Sequence, residues 1–426
     1  MKKKNIILFI NVASAGSVSS LKKYSRKIGQ KFRVAVIRDN KNKNGQKQAG
    51  DLGVDILFAC NLDNPLEIEK ELLPYRKEFL AVTCRGEANM NIFSKVIPHV
   101  PYLKTPTTAS VLWSTDKTYM RKMFRAYDKS ITPKFTIVSN TKKETIKKIK
   151  DKVGFPLIMK PAGLASSLLV TVCYHKEELV NNLRTAFSKI RKIYTDNSRD
   201  TVPKILVEQM MEGEMYSVDA YVNSLGKIYF CPFVHFTSGR SMGFDDFFCY
   251  KRNTPTTLKK ESIKAGELVA EKAIHALGLR SSTAHVELIK TDDGWKIIEL
   301  GPRIGGFRVE MYQLSYNIDH SLNDILIRMG KKPIISKKIN GYTCALKFYA
   351  KKEGRLISLK GINKIQTLKS FKDIKKYKKV GEQCKFAMHG GKGVCDVVLF
   401  NKKRPELLAD IRRAEKMVEI KTKRGK

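Results

Sequence analysis

The sequence predicts an α/β chain with an α+β remainder, and three observations carry that prediction. Short apolar runs alternate with helical stretches through residues 1–112, the pattern of a parallel, doubly wound sheet. Two β-prone runs flank Asp292-Asp293-Gly294, which predicts an antiparallel hairpin. Beyond residue 336 short strands return and a helix follows them.

The elements follow in order. Strands are expected at Ile6–Ile10, Phe32–Ile37, Val54–Phe58 and Phe79–Val82, with a basic helix from Ser20. The start, MKKKNIILFINVASAG, imitates a secretory leader. Its apolar core is short and is broken by Asn11, so a buried first strand is the better reading. Asp116 can cap a helix that carries Met120, Met123 and Phe124 at helical spacing, and Pro133 closes that segment. Residues 135–200 read as strand Phe135–Val138, a Lys-rich helix after Thr141, strands Phe155–Lys160 and Leu168–Cys173, and helix Lys176–Tyr194. Two strands and a turn are expected over 204–235, then a long helix from about Leu258 to Leu277. After the hairpin come a Gly-rich loop and a helix near Ile318–Met329. Strands Thr343–Ala350 and Gly393–Phe400 and helix Arg404–Met417 complete the chain.

Composition excludes several classes. The chain has 426 residues, 42% of them apolar, enough for real cores in two or three domains. It has no apolar run of about 18 residues, so no spanning helix is expected. Cys60, Cys84, Cys173, Cys231, Cys249, Cys344, Cys384 and Cys395 form no CxxC pair. That argues against a structural zinc site or a disulfide framework and for a reducing, cytoplasmic setting. Lys and Arg number 81 against 41 Asp and Glu, a net charge of +40. Residues 331–426 hold 28 of those cations and 8 of the acids, so half the excess lies in the tail. Such a field attracts anions, nucleotides included. With no aromatic RNA-binding motif and no zinc-finger spacing, nucleic acid is not the expected partner.

The chemistry concentrates in the hairpin His285–Glu299. If Gly294 ends a three-residue loop in the left-handed region, Thr291 pairs with Trp295. Glu287 and Glu299 then lie directly opposite each other on one face. Facing carboxylates repel, so they need a cation, a shared proton or solvent between them. Mg²⁺ is a hard ion commonly held by one or two carboxylates plus substrate phosphates. A register set wrong by one residue would instead leave two exposed glutamates. Gly301-Pro302-Arg303-Ile304-Gly305-Gly306-Phe307-Arg308 follows at once. Its glycines permit close approach of a ligand, and Arg303 can clamp a carboxylate or phosphate.

Two further elements lie upstream. Lys160 ends an apolar strand and precedes Pro161-Ala-Gly-Leu-Ala-Ser166-Ser167, a small-residue loop able to hold phosphates by charge and backbone N–H groups. Lys117 lies 43 residues earlier in Thr-Asp-Lys. In Leu206-Val-Glu208-Gln209-Met-Met211-Glu-Gly213-Glu214 a buried strand runs into an acidic Gly turn. Such a linker can offer backbone groups to adenine and a carboxylate to a ribose. Each element alone also fits a surface lysine or an ordinary loop.

Taken in order, these elements resemble the ATP-grasp superfamily, and within it the carboxylate–amine or carboxylate–thiol ligases of the L-amino-acid-ligase and biotin-carboxylase-like branch. The resemblance rests on Thr115-Asp-Lys117, Leu157-Ile-Met-Lys-Pro-Ala-Gly163, Leu206-Val-Glu-Gln209 with Gly213-Glu214, and His285-Val-Glu287 through Glu299-Leu-Gly-Pro-Arg303-Ile-Gly-Gly306. It implies a Rossmann-like N-terminal domain at 1–112, a two-part ATP-grasp domain at 113–335 with a lid at about 135–203, and a small basic C-terminal α+β domain at 336–426. By resemblance, Lys117, Lys160, Ser166 and Ser167 contact ATP phosphates. Glu208, Gln209 and Met211 bind adenine, and Glu214 binds ribose. Glu287 and Glu299 hold Mg²⁺ or Mn²⁺, and Arg303 stabilises an acyl phosphate. The implied activity joins a carboxylate to an amine, with a homodimer as a further expectation. Arg308, His235 and Arg240, with Asp245 and Asp246, are candidates for the substrate pocket. Two positions depart from the family. Gly301 replaces the usual Asn, and Leu168 stands where a glycine commonly follows the serine. Gly301 supports the competing reading, a nucleotide-binding pseudoenzyme on the same fold. The basic tail supports a third, a binder of anionic surfaces or nucleic acid.

Overall fold

The computed structural model describes residues 4–40, 53–164, 167–196, 202–244, 246–336 and 338–423. The first sheet contains β1 (Ile6–Ile10), β2 (Arg33–Asp39), β3 (Ile56–Cys60) and β4 (Phe79–Cys84), in the order β3-β2-β1-β4. All its pairings are parallel. The unbroken apolar run of β1 is explained by its place: it lies between two neighbours with both faces covered. The following helix, Ala15–Ile28, starts earlier than Ser20 because the Ser14 hydroxyl caps it. Between β1 and β4 the connections diverge, and the chain leaves β4 through Arg85 and Glu87.

A second sheet contains β5 (Phe135–Val138), β6 (Leu157–Pro161), β7 (Thr171–Cys173) and β8 (Ile205–Gln209), antiparallel in the order β5-β8-β6-β7. Met159, Val207 and Cys173 pack beneath helices Lys143–Lys152 and Lys176–Asp196. Alternation along the strands therefore sends Lys160 and Glu208 to the opposite face. β8, which lies past residue 203, belongs to this sheet. The strand expected at Leu168–Cys173 is shorter, since Leu169 N–H donates to Met388 O at 3.0 Å instead of continuing the ladder.

The largest sheet has nine strands. These are β9 (Glu214–Val222), β10 (Ile228–Phe230), β11 (Val234–Ser238), β12 (Cys249–Thr254), β13 (Ser282–Thr291), β14 (Gly294–Gly301), β15 (Tyr342–Phe348), and, after β16 (Gly354–Lys360), β17 (Phe371–Lys376) and, after β18 (Gln383–Cys384), β19 (Cys395–Asn401). Their order is β14-β13-β9-β11-β12-β15-β19-β17, with β10 beside β9. Helices Lys117–Tyr127 and Lys260–Ala276 cover one face through Phe124, Ala270 and Ile274. Helices Arg308–Tyr316 and His320–Arg328 lie on the other face; the first was not expected. β16, β18 and β20 (Glu419–Lys423) form a separate C-terminal sheet. β15, β17 and β19, which lie beyond the expected boundary at 336, extend the central sheet. No described helix is long and apolar enough to cross a membrane.

Candidate active site

The hairpin sets the site. Glu287 pairs with Glu299, as expected, but by another route. Thr291 pairs with Gly294 rather than Trp295, and the next three pairs follow that tighter register. The register then shifts between Glu287 and Leu288, leaving Ile298 as the extra residue of a β-bulge. The two differences cancel at the glutamates. The bulge also frees the Ile298 carbonyl, which accepts from Arg121 Nη2 at 2.7 Å. Gly294 keeps the positive φ expected of it, 99°.

The carboxylates have polar neighbours on several sides. Lys117 Nζ lies 3.2 Å from Glu299 Oε2 and also donates to Leu164 O at 2.7 Å. His285 Nε2 is 3.3 Å from Glu287 Oε1, while its Nδ1 lies 2.6 Å from Asp219 Oδ1. Asp219 is fully buried, and its other oxygen takes Gly305 N–H at 2.9 Å and meets His320 Nε2 at 2.7 Å. His320 in turn bonds the Tyr221 hydroxyl. This chain of polar groups orients Glu287 from behind, as outer partners orient a metal ligand. Desolvation opposes ionisation of Glu287, but His285, then Arg303 and Arg252, outweigh it and hold its carboxyl below the usual range. Glu287 therefore stays an anion.

On the lid, Lys160 Nζ lies 2.6 Å from Glu208 Oε2. Glu208 also takes a two-pronged pair from Arg121, so its carboxylate is buried between two cations. The Glu208 side chain, expected at adenine, is engaged with Lys160 and Arg121. Burial, more than the Glu208 charge, governs Lys160 and holds its ammonium below the usual range. Gln209 and Met211 stand at the exit of β8, Gln209 exposed. Gly213 is needed there: at φ 149° a Cβ would lie 2.1 Å from Lys290 O. Ser167 adopts φ 60° in the loop after Lys160. Ser166, like Asp245, lies outside the described residues. Leu168 Cδ1 would lie 3.7 Å from a Cβ at Gly390, so this residue leans on the C-terminal segment.

Arg303 Nε donates to Glu87 Oε2 at 2.7 Å and Nη1 to Ile304 O at 3.1 Å. Burial disfavours its charge, but Glu87, Glu299 and Glu287 raise its pKa. Gly301 bears on the same pair. A Cβ there would stand 3.3 Å from Glu87 Oε2 and 3.5 Å from Arg303 Cγ. The absent side chain leaves room for a carboxylate delivered by the first sheet.

Five expected ligands meet other protein groups or lie on the far face of the sheet. Glu214 bonds the Tyr216 hydroxyl, and both lie on the face of β9 opposite Ser217. Ser217 is the residue that pairs with Glu287, so Glu214 faces away from the carboxylate pair. His235 pairs with Tyr216 and shares that far face, where a cavity of about 100 Å³ is also lined by Asn253 and Arg404. Arg308 is 2% exposed, and it bonds Ser217 Oγ and, at 3.0 Å, Gly306 O. It ties the loop to β9. Arg240 bonds the Tyr174 hydroxyl and lines a cavity of about 380 Å³ with Thr171, Glu178 and Asn182 of the lid. Asp246 accepts Ala387 N–H at 2.6 Å. Arg121 and Glu87 are the groups that the sequence reading missed. Arg121 had a signal, since it lies four residues after Lys117 on one helix face.

The donor set suits a hard divalent cation carried with phosphates. Glu287 and Glu299 offer facing carboxylate oxygens, and among the described residues no group of three or more His, Cys, Asp or Glu could cage a metal alone. That is the coordination habit of Mg²⁺.

Residues 153–311 match the family model of the ATP-grasp domain. A D-alanine–D-alanine ligase of Thermoanaerobacter sp. (strain X514) is 26% identical over 220 residues, 50% of this chain and 57% of that protein. The chain spans about half the length of the curated relatives it matches. An L-amino acid ligase from Bacillus licheniformis has the same fold, with a TM-score of 0.74 at 16% identity over 99% of this chain and 100% of that one. So does the biotin carboxylase domain of a Hydrogenobacter thermophilus 2-oxoglutarate carboxylase, solved with MgADP, ADP and bicarbonate, with a TM-score of 0.66 at 14% identity over 97% of this chain and 90% of that one.

Proposed function

We propose that this chain, which carries an ATP-grasp domain, is a Mg-ATP-dependent ligase that activates a carboxylate and passes it to an amine. The observation that carries the reading is the facing pair Glu287 and Glu299, with Lys117 on one carboxylate and Arg303 close by. A substrate carboxylate oxygen attacks the γ-phosphorus of ATP, and the bond to ADP breaks. An amine nitrogen then attacks the acyl carbon, the C–N bond forms, phosphate leaves and the nitrogen loses a proton. When bound, Mg²⁺ neutralises charge on the transferring phosphoryl group, and Glu287 and Glu299 are the residues that would hold it.

In this reading Lys117 and Lys160 exchange their protein carboxylates for phosphate oxygens. Gln209 and Met211 meet adenine, and Met215, which stands on the carboxylate face two residues before Ser217, replaces Glu214 beside the ribose. Arg303 stabilises the acyl phosphate, and Glu87 positions Arg303. The space left by Gly301 and used by Glu87 supports a working enzyme over a degenerate one. The relatives named as amino-acid ligases support an amino acid as one substrate.

The test is ADP and phosphate release from Mg-ATP with pooled amino acids and small carboxylates. Release is expected to depend on the pool and to be lost in Lys160→Ala and Glu299→Ala. AMP with pyrophosphate would reject the acyl-phosphate route. ATP binding without turnover would favour the pseudoenzyme.

A further inference from the structure

Resting on that ligase reading, we propose that Arg252 and Lys347, gathered at the ring of Phe307, form a recognition subsite for a second carboxylate. This is a carboxylate that is bound but not activated, and the α-carboxylate of the amino acid that supplies the amine is its source.

Ladder register places both cations on the carboxylate face of the central sheet. Glu287 pairs with Ser217, and Ser217 with Val234. Phe236, two residues on, pairs with Arg252, and Arg252 with Ala345. Lys347 is two residues beyond Ala345, so the same face runs from Glu287 to Arg252 to Lys347. The Arg252 guanidinium carbon lies 5.1 Å from the Phe307 ring centre, and Lys347 Nζ lies 6.0 Å from it. Phe307 follows Arg303 by four residues, and its backbone stands at φ 63°, a left-handed value that a bulky side chain rarely adopts. Strain of that kind collects at ligand sites.

Neither cation is held in a close ion pair. Among the described residues no carboxylate lies within 4.0 Å of either, and the hydrogen bond from Arg252 to Cys249 O is long, 3.5 Å. Lys347 stands across the ladder from Asp396, which is 4% exposed; its Oδ2 accepts from Tyr377 at 2.9 Å and its Oδ1 has no partner. Burial and the nearby guanidinium depress the Lys347 ammonium, with Asp396 opposing them only in part. Like charges held half-buried repel each other, and a carboxylate bridging them removes that repulsion. A guanidinium presents it with paired N–H donors. Arg252 shares the Glu287 face of the sheet, the face on which phosphate transfer is proposed.

Binding and turnover together test the assignment. The full chain, saturated with ADP and Mg²⁺, is titrated calorimetrically with each common L-amino acid and with its C-terminal amide. At least one acid is expected to bind about tenfold or more tightly than its amide, the effect of one charge-assisted contact. Arg252→Gln and Lys347→Met should each erase that preference with ADP affinity unchanged. Both variants keep a long uncharged side chain, and an unchanged Tm beside unchanged ADP affinity separates loss of recognition from loss of fold. Equal affinity for acid and amide, a preference that survives both variants, or no binding of any amino acid would overturn the proposal. Discrimination of aspartate from asparagine, lost in the variants and blind to the α-amide, would keep the subsite and move its carboxylate to a side chain. Carboxylate-dependent ADP release that is indifferent to both variants would leave the ligase reading standing without this subsite. Arg252-dependent binding with no ADP release from Mg-ATP would do the reverse.

Discussion

Glu208 shows how one residue serves two neighbours. Burial opposes its charge, but Arg121 and then Lys160 outweigh that and hold its carboxyl at about 2, below its ordinary 4.5. The folded value lies below the unfolded one, so the stabilisation is complete above about pH 4.5 and is lost as pH falls toward about 2. Glu208→Gln would leave two buried cations with no counter-charge. It is expected to cost about 3–5 kcal/mol near neutral pH. In urea unfolding at a series of pH values, the difference from the parent should shrink within that acid window. A variant as stable as the parent at pH 7 would deny the triad any part in stability. The same substitution should weaken ATP binding, because Lys160 would lose its anchor.

At the scale of elements, turns and bulges decide what the ladder presents. The hairpin was expected to reach the Glu287–Glu299 pairing through a regular ladder, and it reaches it through a tighter start and one bulge. Alternation alone carries no signal for a bulge, because an extra residue is set by what its freed carbonyl meets. Here that partner is Arg121, on a helix far away in sequence. The linker after β8 depends on close approach in the same way. Gly213→Ala would drive a methyl into Lys290 O, at a φ that L-residues avoid. The substitution should cost about 1–3 kcal/mol and weaken ADP binding by displacing Gln209 and Met211. Calorimetry and urea unfolding read the two effects separately. Unchanged ADP affinity would detach the linker from the nucleotide.

At the scale of the molecule, the first sheet is fastened to the central one by buried polar groups. Asp324 accepts from Thr83 of β4 and, at 2.6 Å, from Thr283 of β13, and lies 3.3 Å from Arg328 Nε. Arg328 is fully buried, with its guanidinium 5.4 Å from the Phe93 ring centre. Asp324→Ala would strand that guanidinium and is expected to destabilise by about 3–5 kcal/mol in chemical unfolding. The same seam delivers Glu87 to Arg303, so kcat should fall in this variant although Asp324 touches no proposed ligand. Parental stability in Asp324→Ala would show that the seam is held by apolar packing.

The sequence by itself determined the alternation of the first sheet, the hairpin with its two glutamates, the lysines at a helix start and a strand end, and the terminal helix. Those features are local: apolar period, capping residues and turn glycines act within a few positions. Tertiary structure alone decided which groups meet. Glu87 comes from one sheet to an arginine of another, and Arg121 joins lid to hairpin. Strand register turned Glu214 and His235 from the cleft and brought Arg252 and Lys347 toward it. A side chain's face depends on pairing and bulges summed across several strands, and no single segment of sequence contains that sum.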